Sequence, residues 1–108
     1  MDNNLLNLME EAQEVAEYLK ALAHETRLVM VCLLGDGEMS VAEFTKYLGS
    51  TQSNVSQHLA KLRDRGVLET RRAGNQVFYR VKDRGTLDLI EVLQRTFCIE
   101  SASRLKRI

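Results

Sequence analysis

The sequence contains no tryptophan and no proline, and only two cysteines and two histidines among 108 residues. Two thiols are too few to staple a small secreted fold, so the expected compartment is the reducing cytoplasm. No apolar run approaches the roughly 18–20 residues that cross a bilayer, and no membrane role is expected. The start, Met1 to Asn7, has neither a basic segment nor a cleavable apolar one, so no secretory leader is read from it. Internal repeats, low-complexity tracts and linkers are missing too, and the length suits a single domain, 1–108. What is present is an ordinary globular balance: 44% hydrophobic and 28% charged residues, which excludes wholesale disorder.

The formal net charge is zero, but it is unevenly spread. Residues 1–50 carry 3 basic and 9 acidic side chains, residues 51–84 carry 8 and 3, and residues 85–108 carry 4 and 3. A neutral chain with one basic third can hold a polyanion there; the same charges also suit a plain solvated face.

Helical periodicity runs through Leu5, Leu8, Met9, Ala12, Val15, Ala16 and Leu19, with Glu10, Glu11, Glu14 and Glu17 on the rest of the surface. A second helix, about Glu25 to Leu34, is apolar nearly all round and should be central, with His24 as its cap and Gly35 and Gly37 as its stop. Ser40 and Glu43 have capping-box spacing and open a short third helix, Val41 to Leu48. Ser50 or Thr51 can cap a fourth helix, roughly Gln52 to Arg65. Val67 to Arg71 and Val77 to Val81 read as strands flanking Arg72-Ala73-Gly74-Asn75-Gln76, which has the Gly and Asn of a hairpin turn, and a last helix runs from about Arg84 to Cys98 or beyond. The order α-α-α-α-β-β-α, mainly helical with a hairpin behind a short helix and a tight turn, predicts a winged helix-turn-helix.

In that arrangement the helix after the turn enters the major groove by its N-terminal end. Here that end offers Gln52, Ser53, Asn54, Ser56 and Gln57, with Lys61 further along. Gln and Asn can pair bidentately with adenine, and Ser reads several base edges. Val55, Leu59 and Leu62 recur at core-facing spacing, so the polar residues turn outward. Arg71, Arg72, Asn75 and Gln76 lie on or near the hairpin tip, where a wing meets phosphates or the minor groove. Arg80 and Lys82 have local acids to pair with. His58 has no second His or Cys at ligand spacing; it is a capping or packing residue or a phosphate contact. The last helix carries two apolar stripes, Leu87, Ile90, Leu93, Phe97 and Leu89, Val92, Thr96. One can face the core while the other meets a partner, and a homodimer would present two recognition helices to a two-fold DNA operator.

These segments resemble a known family. Leu19-Lys20-Ala21-Leu22-Ala23-His24-Glu25-Thr26-Arg27-Leu28 looks like the second-helix entry of ArsR/SmtB transcriptional repressors. Ser53-Asn54-Val55-Ser56-Gln57-His58-Leu59-Ala60-Lys61-Leu62-Arg63 resembles their recognition helix, and Gly74-Asn75-Gln76-Val77-Phe78-Tyr79 their wing. The resemblance covers about residues 12 to 99 and implies a dimeric repressor that leaves DNA when an inducer binds or modifies it. Most members sense metals, but the third helix here lacks the Cys-x-Cys of the thiophilic-metal sensors. The last helix lacks the His of the zinc sensors, so no metal site and no cofactor are expected. The contexts of Cys32 and Cys98, 66 residues apart, instead resemble the sulfide- and persulfide-sensing branch, of the BigR, SqrR and HlyU type. That resemblance implies a redox-sensing pair, with reactive sulfur species or another oxidant as inducer.

A disulfide needs Cα atoms about 4.4–6.8 Å apart, and a polysulfide bridge tolerates more. Cys32, with Leu28, Val29, Leu33 and Leu34 around it, should be the less reactive thiol, and Cys98, near a helix end beside Gln94 and Arg95, the first to react. Set against this, isolated cysteines in a small cytosolic protein are commonly buried small hydrophobes. A metal-responsive repressor, a winged-helix interaction module without DNA, and a thiol enzyme are the competing functions. The last is disfavoured by the lack of Cys-x-x-Cys, of Ser-His-Asp logic and of a phosphate-cradling Gly loop, so no enzyme is expected.

Overall fold

The computed structural model describes residues 2–97. They form α1 (Asn3–Leu22), α2 (Glu25–Leu34), β1 (Glu38–Ser40), α3 (Val41–Leu48), α4 (Gln52–Asp64), β2 (Leu68–Ala73), β3 (Gln76–Val81) and α5 (Arg84–Phe97). Cys98 lies outside the described residues.

Local chemistry sets most boundaries. His24 caps α2, its Nδ1 accepting from the Thr26 amide at 3.2 Å. Ser40 and Glu43 close a reciprocal capping box at the start of α3, which satisfies two amides that have no partner within the helix. Thr51 caps α4 by accepting from the Asn54 amide at 3.1 Å. Between α3 and α4, Gly49 takes φ +61, a left-handed conformation that side-chain-bearing residues adopt only at a cost. The tight turn of the helix-turn-helix depends on it.

The sheet differs from the expected hairpin by one strand. Residues 38–40 pair antiparallel with β3, giving the order β1-β3-β2. Three residues are too few to show alternation, and only pairing with β3 makes them a strand. The hairpin also runs closer to its tip than expected: Ala73 pairs with Gln76, leaving a two-residue turn at Gly74-Asn75.

The core is built from Met30, Val31, Leu33 and Leu34 of α2, Phe44 of α3, Val55, Leu59 and Leu62 of α4, and Val67, Leu68 and Met39 around the sheet. The second helix is central, as its composition predicts. α1 reaches this core through Ala21 and Leu22, with Tyr18 packed against it; Leu5, Leu8, Met9, Val15 and Leu19 remain exposed. α5 buries Thr86 and Ile90, and the Tyr18 and Thr86 hydroxyls are hydrogen-bonded, tying it to α1. Its two apolar stripes do not separate cleanly: Leu87, Ile90 and Leu93 of one and Leu89 of the other turn toward the core, whereas Phe97 and Val92, one from each, stay in solvent.

Candidate nucleic-acid interface and cysteine cleft

The apolar spacing of α4 orients its polar start. Val55, Leu59 and Leu62 are at most 1% exposed, and Gln52, Ser53, Ser56, Gln57 and Lys61 face outward. These five side chains make no hydrogen bond or ion pair to described residues through their side-chain atoms, so their donors and acceptors are free for a ligand. Asn54 is exposed too, but its amide nitrogen donates to the Ser50 hydroxyl at 2.8 Å and braces the turn. His58 turns inward. Its ring lies 4.7 Å from that of His24, and its Nδ1 is 3.4 Å from Arg27 Nη1. Those contacts suit a packing role.

The wing divides its cations by strand alternation, since successive residues of a strand point to opposite faces. Leu68, Thr70 and Arg72 share the core-side face of β2, while Glu69 and Arg71 share the outer one. On that outer face Arg71 donates through Nε and Nη2 to both oxygens of Glu38 and lies 5.0 Å from the centre of the Phe78 ring. Beside it Arg80 pairs with Glu69 at 2.6 Å. The Arg71 guanidinium holds the Glu38 carboxyl below its ordinary pKa, and Arg71 is raised in turn. Arg71 and Arg72 therefore differ. Arg72, Asn75 and Gln76 stand exposed at the tip without ion partners, whereas Arg71 is already occupied by β1, the strand that sequence reading missed. Lys82, like Arg72, has no ion pair among the described residues.

Cys32 sits on α2 but is less enclosed than its apolar neighbours suggest. It is half-buried and opens onto a cleft of about 320 Å³ bordered by Asp36, Arg84, Glu91 and Gln94. Burial pushes its thiol pKa up, and a hydrogen bond with the Gln94 side chain opposes that shift. Among the described residues no group of three or more His, Cys, Asp and Glu side chains is placed to hold a metal. No helix among them is long and apolar enough to cross a membrane.

A short helix, a glycine turn, a helix with a free polar N-terminal face and a hairpin wing define a winged helix-turn-helix, a fold of DNA-binding regulators. The chain belongs to the ArsR family of bacterial regulatory proteins. Residues 24–70 match the family model described as "Bacterial regulatory protein, arsR family". The chain is 40% identical over 94 residues to the biofilm growth-associated repressor of Xylella fastidiosa, covering 87% of this chain and 82% of that one. It is 39% identical over 95 residues to the transcriptional activator HlyU of Vibrio cholerae, covering 88% of each. The structure described as reduced HlyU from that organism superimposes with a TM-score of 0.78 over 85% of this chain and 97% of the other, at 38% identity. A Mycobacterium bovis protein, Mb0332, solved as a homodimeric winged helix-turn-helix DNA-binding domain, gives a TM-score of 0.77 at 28% identity, covering 93% and 89%.

Proposed function

We propose that this protein is a homodimeric, cytoplasmic transcriptional repressor whose operator affinity is switched by oxidation or persulfidation of Cys32 and Cys98. The observation that carries the DNA reading is the outward polar start of α4, with Gln52, Ser53, Ser56 and Gln57 uncommitted to any other described side chain. Gln57 and Gln52 are the candidates for base readout, Asn54 for readout through its remaining amide valences, and Lys61 and Arg72 for phosphates. Asn75 and Gln76 suit minor-groove or backbone contact at the wing tip.

Dimerisation is supported by the apolar surface left on α1, with Leu8 60% and Val15 55% exposed, and by the exposed Val92 and Phe97 of α5. Large apolar side chains left exposed along both terminal helices suit an interaction face, and the Mycobacterium bovis relative is described as homodimeric. The chain then acts as one domain whose terminal helices form the dimer contact. Repression follows the Xylella relative's name. The Vibrio relative is instead named an activator.

For the switch, Cys32 meets Gln94 on α5, and Cys98 follows Gln94 by four residues in the sequence. A bridge between the two thiols would tie α5 to the central helix and change the spacing or mobility of the two recognition helices, which must sit about one DNA turn, roughly 34 Å, apart. The balance is two thiols and one oxidant: a persulfide donor passes its outer sulfur to one thiolate, and the second thiolate then attacks that persulfide. A disulfide forms if the second thiolate attacks the sulfur bonded to carbon and hydrosulfide leaves; a trisulfide forms if a second donor has persulfidated the other cysteine too and its terminal sulfur makes that attack, again releasing hydrosulfide. The test is operator binding before and after persulfide treatment, with mass spectrometry of the product. Reduced protein is expected to bind and treated protein to release, with a bridge within one subunit. Cys32→Ser and Cys98→Ser are each expected to bind DNA and ignore the inducer. Release of DNA by the treated double variant overturns the assignment.

A further inference from the structure

A second cleft, separate from the Cys32 cleft and sharing only Lys61 with the outward face of α4, opens where α1 and α2 meet the C-terminal half of α4. It encloses about 510 Å³, within the range of small-molecule sites. Arg27, only 9% exposed, borders it, with Lys20, Lys61 and Arg65 as further cations and Glu17 and Asp64 as the acids.

The acids are already matched. Glu17 pairs with Lys20 at 3.2 Å and with Arg65 at 3.3 Å, and Asp64 lies 3.7 Å from Arg63. Neither Arg27 nor Lys61 has a carboxylate partner among the described residues. Arg27 donates from Nε to the Ala21 carbonyl at 2.6 Å, and its Nη1 approaches His58 Nδ1 at 3.4 Å. A guanidinium has five N–H donors, so these contacts leave donors for another acceptor. Burying such a charge without a counter-ion is costly, and an anion brought beside it is correspondingly favoured. His58, next to the cleft, reports the same field. Its imidazole pKa is held below the ordinary value by burial first, and then by the positive charge of His24, Arg27 and Lys61.

We propose that this cleft binds a tetrahedral oxyanion of the phosphate class, dissolved or carried on a DNA backbone, with Arg27 donating from the floor and Lys61 from the rim. A guanidinium fork matches phosphate geometry, and an ammonium adds a mobile point charge.

The test follows the His58 ring by NMR through a pH titration of the reduced, full-length protein, in inorganic phosphate and in chloride at matched ionic strength. Phosphate is expected to raise the His58 pKa saturably, and chloride is not. Arg27 is buried, so its replacement endangers folding; Lys61→Gln changes an exposed helix position and keeps the comparison valid. That variant is expected to weaken phosphate binding by about tenfold or more, the loss of one charge-assisted contact. Equal His58 shifts in the two salts, or unchanged phosphate affinity in Lys61→Gln, overturns the site. A random-sequence duplex then separates the sources. Phosphate that displaces the duplex beyond the effect of matched chloride identifies the DNA backbone as the occupant. Phosphate that binds free and duplex-mixed protein alike identifies a dissolved anion. The first readout contains no DNA, so it stands or falls apart from the repressor reading.

Discussion

Arg71 and Arg72 are adjacent, chemically identical and both exposed, yet the fold predicts that they act differently. Arg72 points from the core-side face of β2 near the wing tip with no ion partner. Arg71, on the outer face, is held by both oxygens of Glu38 and stacked over Phe78. Each phosphate neutralised by a protein cation contributes about 0.9 to the slope of log K against log salt on duplex DNA. Arg72→Ala should therefore flatten that slope by about 0.9, so that its deficit against wild type shrinks by about 3.5-fold between roughly 50 and 200 mM salt. Arg71→Ala should leave the slope almost unchanged, because its charge is already neutralised within the protein. Thermal stability should show the reverse order. Arg71→Ala loses an ion pair and a ring contact and lowers the melting temperature more than Arg72→Ala, which loses no described contact. Fluorescence anisotropy with a labelled duplex across a salt series, beside thermal melts of both variants, measures the two effects. Equal slope losses would refute the division of the wing.

Three further outcomes are expected. Leu59→Ala removes a fully buried side chain from the face by which α4 docks and should cost about 2–5 kcal/mol in denaturant unfolding, taking much of the DNA affinity with it. His58 has a folded-state pKa below its unfolded one, so the unfolded chain binds more protons. Stability is then highest above the ordinary histidine pKa and declines as pH falls through it, and His58→Gln should flatten that decline in melts between about pH 7 and 5. The Cys32 thiol is raised by burial and eased by Gln94; in a Cys98→Ser background its alkylation by iodoacetamide should lag a free cysteine at neutral pH, and Gln94→Ala should slow it further.

Periodicity and capping chemistry in the sequence were enough to locate the helices. Val55, Leu59 and Leu62 place one face of α4 in the core wherever that helix docks, so the outward turn of Gln52, Ser53 and Gln57 follows from spacing alone. Ser40 with Glu43, and Thr51 before α4, mark helix starts because unpaired amides need a nearby acceptor. The +5 charge of residues 51–84 likewise located the basic third. Contacts between residues distant in sequence were decided elsewhere. β1 carries no alternation over its three residues and exists because β3 offers it an edge. Through that edge Glu38 reaches Arg71, 33 positions away, and removes it from the free cations of the wing. The inward turn of His58 toward His24 and Arg27, the opening of Cys32 onto a cleft against Gln94, and the positive cleft beneath α4 have the same origin. Each depends on how α1, α2, α4 and α5 pack. Local sequence fixes the face a residue occupies, and the tertiary fold fixes what stands opposite that face.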